Sequence, residues 1–370
     1  MSGGAPRRPA RPRLARLSPP AHRQRGVALL VAILLVALGT IIAAALAYDN
    51  AMTARRSEAA FDFDQALLVA EGAEATAAYA LRQTALGTPN DVTYPAQPWG
   101  EPLGPIEVAP GVTLEASLID LQGRFNINSL IESDGVTVNP VAVAAFRRLL
   151  EEVQVDPKWA DDLVNWIDKS TVAPDGNGAE DSVYMAMDPP YLPPHLVVTS
   201  TSELLALPGF GRNNFEKIAP YITALPVGAK LNVCSASPLV LDAYLGYTQF
   251  SSDPQQFAQD RKSAGGCFPT LLNYQNAYKS RPAGAGDLGG PIHLGEAGGG
   301  TPPGAQPVTP RGANPQAPGF TDLFTNQSSY FRLTSLVSSG PTEFAVYSLL
   351  YRTAGAPFLV RPLMRTFTRH

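Results

Sequence analysis

The chain has 370 residues, 45% of them hydrophobic, with 28 basic and 32 acidic side chains and a formal net charge of −4. Seven arginines and no acid lie in the first 26 residues, and 21 uncharged residues follow. The 323 residues after position 47, enough for two domains, hold 21 basic and 32 acidic side chains, a net charge of about −11. That balance disfavours a nucleic-acid partner and suits divalent cations.

The leader carries Arg7, Arg8, Arg11, Arg13, Arg16, Arg23 and Arg25. Residues 27–47 read VALLVAILLVALGTIIAAALA, in which Thr40 is the only hydroxyl. That is long enough to cross a bilayer as a helix. The arginines predict a single membrane pass, with a cytoplasmic N-terminus and everything after Ala47 outside. A secretory signal has a shorter apolar core and a small-residue cleavage site behind it. Here the change of character comes before the core, between Gly26 and Val27. The junction resembles the prepilin signal, from which a peptidase removes the basic leader. The alternative is an uncleaved signal anchor.

Apolar or small residues recur at Ala59, Phe63, Ala66, Ala70, Ala73, Ala77 and Leu81, three or four apart. One helix is expected over residues 27–83, its first half in lipid and its second on a soluble domain. The stripe is longer than one small sheet would cover. It is therefore an expected partner surface, together with the strands near residues 112–121 and 330–365.

Period-two alternation predicts strands at 106–108 and 112–121. Helical periodicity follows at 140–153 and 158–167, then around 202–207, 213–222 and 237–245, with a further helix or two in 254–278. Residues 284–318 are dominated by Gly, Pro and Ala and read as a disordered insert. Strands return at 330–337, 343–352 and 358–365. The sheet is thus begun before residue 130 and finished after 328, with a helical block between.

Three local patterns carry possible chemistry. Asp175, Asn177, Glu180 and Asp181, with Asp168 and Asp188 as possible additions, form an oxygen-rich, glycine-containing loop suited to calcium, though its spacing is not that of an EF-hand. An ordinary solvated turn is the alternative. Residues 204–211, with Gly209 and Gly211, look like the hairpin of a helix-hairpin-helix element, and Leu231-Asn232-Val233 with Ala236-Ser237 reads as a partial second copy. Either the amides cradle a DNA phosphate or the glycines let two helices pack closely. The acidic balance favours packing. Cys234 and Cys267 are candidates for a disulfide worth roughly 3–4 kcal/mol, or are two buried thiols. His22, His195, His293 and His370 form no catalytic group with a nucleophile and an acid, so no enzyme is expected.

Taken together, several segments resemble the K-type minor pseudopilins of the type II secretion system. They are Arg25-Gly26-Val27-Ala28-Leu29-Leu30, the run Ile119-Asp120-Leu121-Gln122-Gly123-Arg124-Phe125-Asn126-Ile127-Asn128, Trp166-Ile167-Asp168, and Gly178-Ala179-Glu180-Asp181 with Tyr184. Ser202-Glu203-Leu204 through Gly209, Leu231-Asn232-Val233 with Ala236-Ser237, and Tyr330-Phe331 also match. The resemblance implies an α+β fold: a pilin-like long helix and antiparallel sheet interrupted by an all-helical, SAM-like insert, with bound calcium. It implies cleavage after Gly26, methylation of the new N-terminus, and a structural place at the pseudopilus tip in protein export. The implied partners are the I-type and J-type minor pseudopilins, other pseudopilins and the prepilin peptidase. Other pilins carry Glu at the fifth mature position, where this chain and K-type subunits do not; here it is Val31. Cys234 stands where the family commonly has Asn. The expected organisation is a leader (1–26), a transmembrane half-helix (27–47), a first pilin-like part (48–130), a helical insert (131–283), the Gly/Pro-rich stretch (284–318) and final strands (319–370). The rival function is a membrane-anchored helix-hairpin-helix protein that binds DNA.

Overall fold

The computed structural model describes residues 25–169, 183–281 and 319–367. The leader up to residue 24 and the Gly/Pro-rich stretch lie outside them. By its internal packing the chain divides into two units, Met1–Asp62 and Phe63–His370. The division falls within helix α1 (Arg25–Gly87).

In the first unit the apolar side chains of α1 are exposed, Leu30, Leu34 and Val36 each by about two thirds. It is the one helix among the described residues long and apolar enough to cross a membrane. Thr40 Oγ1 donates to the Ala37 carbonyl at 2.8 Å, so the span's hydroxyl is satisfied within the helix.

In the second unit the chain runs from α1 into strands β1 (Leu103–Ala109) and β2 (Val112–Asp120), then a short β3 (Phe125–Asn126). Helices α2 (Pro140–Glu152), α3 (Trp159–Ile167) and α4 (Gly211–Ile218) follow, then β4 (Ile222–Thr223) and β5 (Leu231–Asn232). Next come α5 (Pro238–Leu245), α6 (Pro254–Ser263), α7 (Leu271–Lys279), α8 (Phe320–Leu323) and β6 (Phe324–Thr325). Strands β7 (Tyr330–Ser339), β8 (Thr342–Arg352) and β9 (Val360–Thr366) end the described fold.

The sheet is antiparallel with order β1-β2-β7-β8-β9. β2 pairs directly with β7, from Val112↔Ser339 to Asp120↔Phe331, so the long excursion between them leaves the sheet continuous. Alternation aims Val112, Leu114, Ala116 and Leu118 of β2, with Phe331, Leu333 and Val337 of β7, at α1. The facing side of α1 is lined by Ala66, Ala73 and Leu81. Methyl side chains let the helix backbone approach the sheet closely. A buried polar pin adds direction: Glu74, 5% exposed, accepts from Ser348 Oγ (2.6 Å) and from Nε and Nη2 of Arg365 (both 2.7 Å).

The second core belongs to the helical block. Phe125 stacks on Phe146 of α2 and Tyr244 of α5, and Tyr244 meets Phe324 edge-on. Helix starts are encoded locally. Asn139 caps α2 by accepting from the Ala142 amide, with Pro140 in the first turn, and Ser237-Pro238 does the same for α5. This core reaches back to Phe125 and forward to Phe324, beyond residues 131–283 on both sides. It also contains two parallel two-residue pairs, β3 with β4 and β5 with β6, which periodicity could not show.

Gly123 sits where the two halves meet. A Cβ there would lie 2.7 Å from the Ser235 carbonyl oxygen, and backbone cannot step aside cheaply. Gly123→Ala is therefore expected to destabilise a fragment lacking residues 1–47 by about 1–3 kcal/mol. Urea unfolding measures this. An unchanged midpoint would mean that the contact relaxes freely.

Candidate functional site

The junction Gly26-Val27 falls in the first turn of α1. Further along, the stripe through Ala66, Ala70, Ala73 and Leu81 is buried against the chain's own sheet. That part is therefore not a free surface, whereas Ala59 at the start of the expected stripe is exposed. The opposite face is free. Gln65, Leu68, Gly72, Ala75, Tyr79, Arg82 and Leu86 are all exposed, at alternating spacings of three and four. Leu68, Tyr79 and Leu86 are 67%, 65% and 54% exposed. A 3.5-residue repeat of this kind is the pattern that packs along a second helix at a shallow angle.

The second site is polar and buried. Asn232 has no exposed surface. Its Nδ2 lies within hydrogen-bond distance of Thr93 O (2.9 Å), Asp120 Oδ2 (3.0 Å), Ser235 Oγ (3.2 Å) and Ser328 Oγ (2.8 Å). Its Oδ1 accepts from the Cys234 amide at 3.0 Å. Ser328 Oγ donates to Asp120 Oδ2 at 2.6 Å. Gln122 bridges outward: Nε2 donates to the Lys230 carbonyl and Oε1 accepts from the Ser329 amide. Arg352, 2% exposed, pairs with Asp91 at 3.0 Å and donates to Thr93 Oγ1 at 2.9 Å. This network joins the end of β2, the turn after β5, the approach to β7 and the end of β8. The run Asp120–Asn128, read first as a family mark, supplies much of it. Asn126 and Asn128 extend it by donating to the carbonyls of Pro226, Val198 and Leu225. Asn232 was missed as a hub; the reading of Leu231-Asn232-Val233 as a second hairpin copy gives way to a strand pair with Phe324–Thr325.

Of the six calcium candidates, Asp175, Asn177, Glu180 and Asp181 lie outside the described residues. Asp168 caps the end of α3, and its carbonyl meets His195 Nδ1 at 2.8 Å. Asp188 is exposed. Trp166, Tyr184 and Tyr191 form a chain of ring contacts at 5.5 and 5.4 Å that ties together the two flanks of the loop. The donor set is all oxygen, which fits a hard cation. Among the described residues no three potential His, Cys, Asp or Glu ligands cluster.

Gly209 and Gly211 have φ of +84° and +73° and no tight neighbour. Their role is to turn the chain, which replaces the close-packing reading. The nearby Arg212 is paired with Glu216 at 2.7 Å, which leaves that hairpin poorly suited to phosphate. Cys234 and Cys267 are bonded, with Cα atoms 4.4 Å apart.

Burial pushes the Asp120 carboxyl above its ordinary range, against the hydrogen bonds from Ser235, Ser328, the Gln122 amide and Asn232. A raised folded value means that the native state holds this proton more tightly than the unfolded chain does. Its stabilising contribution is complete below the unfolded value and is lost as pH rises through the folded one. Stability of wild type relative to Asp120→Asn is thus expected to increase as pH falls from 7 toward 4. Thermal midpoints across that range test it, and parallel curves would contradict it.

A family model for the type II secretion system (T2SS) protein K matches residues 123–227. The type II secretion system protein K of Klebsiella pneumoniae is 35% identical over 210 residues, covering 55% of this chain and 64% of that protein. The chain thus spans slightly under two thirds of that relative's length. The Pseudomonas aeruginosa protein of the same name is 32% identical over 241 residues, covering 63% of this chain and 70% of that one. Among solved structures, a chain of the GspK-GspI-GspJ complex from the enterotoxigenic Escherichia coli type 2 secretion system superposes with a TM-score of 0.62. It covers 85% of this chain and all of that chain at 19% identity, a likeness of fold. Identical at 32% of the 241 aligned positions, which cover 70% of the Pseudomonas protein, the chain belongs to the type II secretion system protein K family.

Proposed function

We propose that this protein is a minor pseudopilin, a structural and non-catalytic subunit at the tip of the type II secretion pseudopilus. There it initiates assembly with the I-type and J-type minor pseudopilins for export across the outer membrane. The observation that carries the reading is the division of α1 into two faces beyond the span. One face is buried on the sheet, and the other exposes a seam from Gln65 to Leu86. A membrane anchor has no use for that seam; a subunit that packs beside other long helices does. The large helical block would obstruct a subunit stacked above, which favours the end of a filament. In this role the prepilin peptidase cuts between Gly26 and Val27, the new N-terminus is methylated, and the span sits in the inner membrane with the remainder periplasmic.

Leu68→Glu with Tyr79→Glu tests the seam. Both side chains are about two thirds exposed, so the fold should be kept. Two carboxylates in a helix seam should lower co-purification with I-type and J-type partners at least tenfold. The wild-type protein from the same membranes should begin at Val27 by N-terminal sequencing. Unchanged co-purification, or a start at Met1, would defeat the reading.

Calcium belongs to the same proposal. Asp175, Asn177, Glu180 and Asp181, helped by Asp168 and Asp188, would hold the ion, which offsets the repulsion among the carboxylates. Chelation should lower the thermal midpoint by several degrees. Glu180→Ala should abolish that difference, and an equal shift in the variant would remove the loop from the proposal.

A further inference from the structure

Cys234 and Cys267 each lie beside a contact between the helical block and the sheet-bearing half. Cys234 is fully buried in the turn after β5. Its amide is held by Asn232 Oδ1, and the neighbouring Val233 amide donates to the Thr325 carbonyl at 3.0 Å. The same turn brings Asn232 to Thr93, Asp120 and Ser328, and the Ser235 carbonyl against Gly123. Cys267 is half-buried in the loop between α6 and α7. Next to it Gly266, at φ +106°, lies so close to Tyr94 that a Cβ would come within 2.4 Å of the ring and 3.0 Å of Ala96. The segment 93–96, which follows α1, is therefore gripped twice: by Asn232 at Thr93 and by Gly266 at Tyr94 and Ala96. The disulfide joins the two gripping points. Arg261 reinforces the join from the helical block alone, donating to the carbonyls of Ala236 (2.8 Å) and Phe268 (2.9 Å).

We propose that the Cys234–Cys267 disulfide is a redox-sensitive clasp that fixes the helical block on the sheet-bearing half through segment 93–96. The reductant is a dithiol. Its thiolate attacks the more accessible Cys267 sulfur, and Cys234 leaves as a thiolate and takes up a proton. The second thiol then resolves the mixed disulfide. The protein gains two electrons and two protons, and the reductant departs as its own disulfide. Each half keeps its core: the cluster between α1 and the sheet contains neither cysteine, and the cluster around Phe146, which Cys234 and Cys267 join, is centred on the stacked rings of Phe125, Phe146 and Tyr244. What changes is the coupling between them. The clasp is independent of the assembly role.

Hydrogen exchange on the full-length protein in detergent micelles, oxidised and after dithiothreitol, tests this. Reduction should speed exchange about tenfold or more at the amides of Thr93, Gln122, Val233 and Ser329. Amides of Val143–Leu150 in α2 and Thr334–Val337 in β7 should be unchanged. Cys267→Ser should reproduce the reduced pattern and no longer respond to dithiothreitol. No change at the junction, or an equal rise everywhere, overturns the clasp. Failure of Cys267→Ser to fold does the same, because the bond would then be a general staple.

Discussion

A single buried amide, that of Asn232, holds the end of β2, the approach to β7 and the segment after α1 in one place. These partners lie 112, 96 and 139 residues away along the chain. Each of them is a polar group withdrawn from water, and an unpaired one would cost about 1–3 kcal/mol. The arrangement is therefore close to all-or-none. With Asn232 in position, its two amide hydrogens are shared among the Thr93 carbonyl, Asp120 and Ser328, and Ser328 in turn donates to Asp120; without it, several buried groups lose partners at once. This solves a topological difficulty. A helical block interrupts a sheet between two strands that must still pair along their whole length. Loop-closure cost grows slowly with loop length, so the excursion itself is tolerated. What the fold needs is a fixed point at the root of the excursion. Asp120, Gln122 and Asn232 form it, and Gly123 lets the backbones come close enough.

The helix α1 shows a second economy of design, in which side-chain size separates two faces. Alanines at 66, 70 and 73 leave the helix close to the sheet, and Glu74 fixes its rotation through Ser348 and Arg365. Once rotation is fixed, the residues opposite are committed to solvent or to a partner. Gly72 and Ala75 keep the middle of that outer seam shallow, between the larger Leu68 and Tyr79. A second helix could thus approach closely at the centre while larger side chains interlock at either side.

Much of this was legible in the sequence where periodicity is strong. The span, the amphipathic continuation of α1, the strands expected at 112–121 and 343–352, each within a residue of β2 and β8, and the starts of α2 and α5 all follow from local pattern and capping residues. The reading failed where contacts are distant. The apolar stripe on α1 and its packing on a soluble domain are visible in the sequence, but how much of the stripe the sheet covers is not, because sheet width cannot be read from alternation alone. Asn232 gave no local signal at all, since every side-chain partner but Ser235 and Cys234 lies far away in sequence. The cluster Asp120, Gln122, Asn126, Asn128 did carry a signal. Four amide or acid residues at alternate positions beside buried Leu121, Phe125 and Ile127 mark polar groups drawn into a core, where each needs a distant partner. Gly209 and Gly211 were correctly singled out, yet the sequence could not separate a turn at positive φ from close packing.

The two parts of α1 also differ in what they can recognise. Within residues 27–47 the side chains are apolar or small apart from Thr40, whose hydroxyl is satisfied by its own helix. Helices in lipid gain little from apolar burial against one another, and they select partners by small-residue packing and polar contacts. A span with no free polar group offers few such handles. It anchors more than it discriminates. In the proposed role, discrimination would fall to the seam beyond the span, where water makes apolar contact favourable and Gln65 and Arg82 add polar and charged features near its two ends. Because Glu74 and the alanine stripe set the rotation of that seam, the sheet would, in that role, act on partner choice without touching the partner.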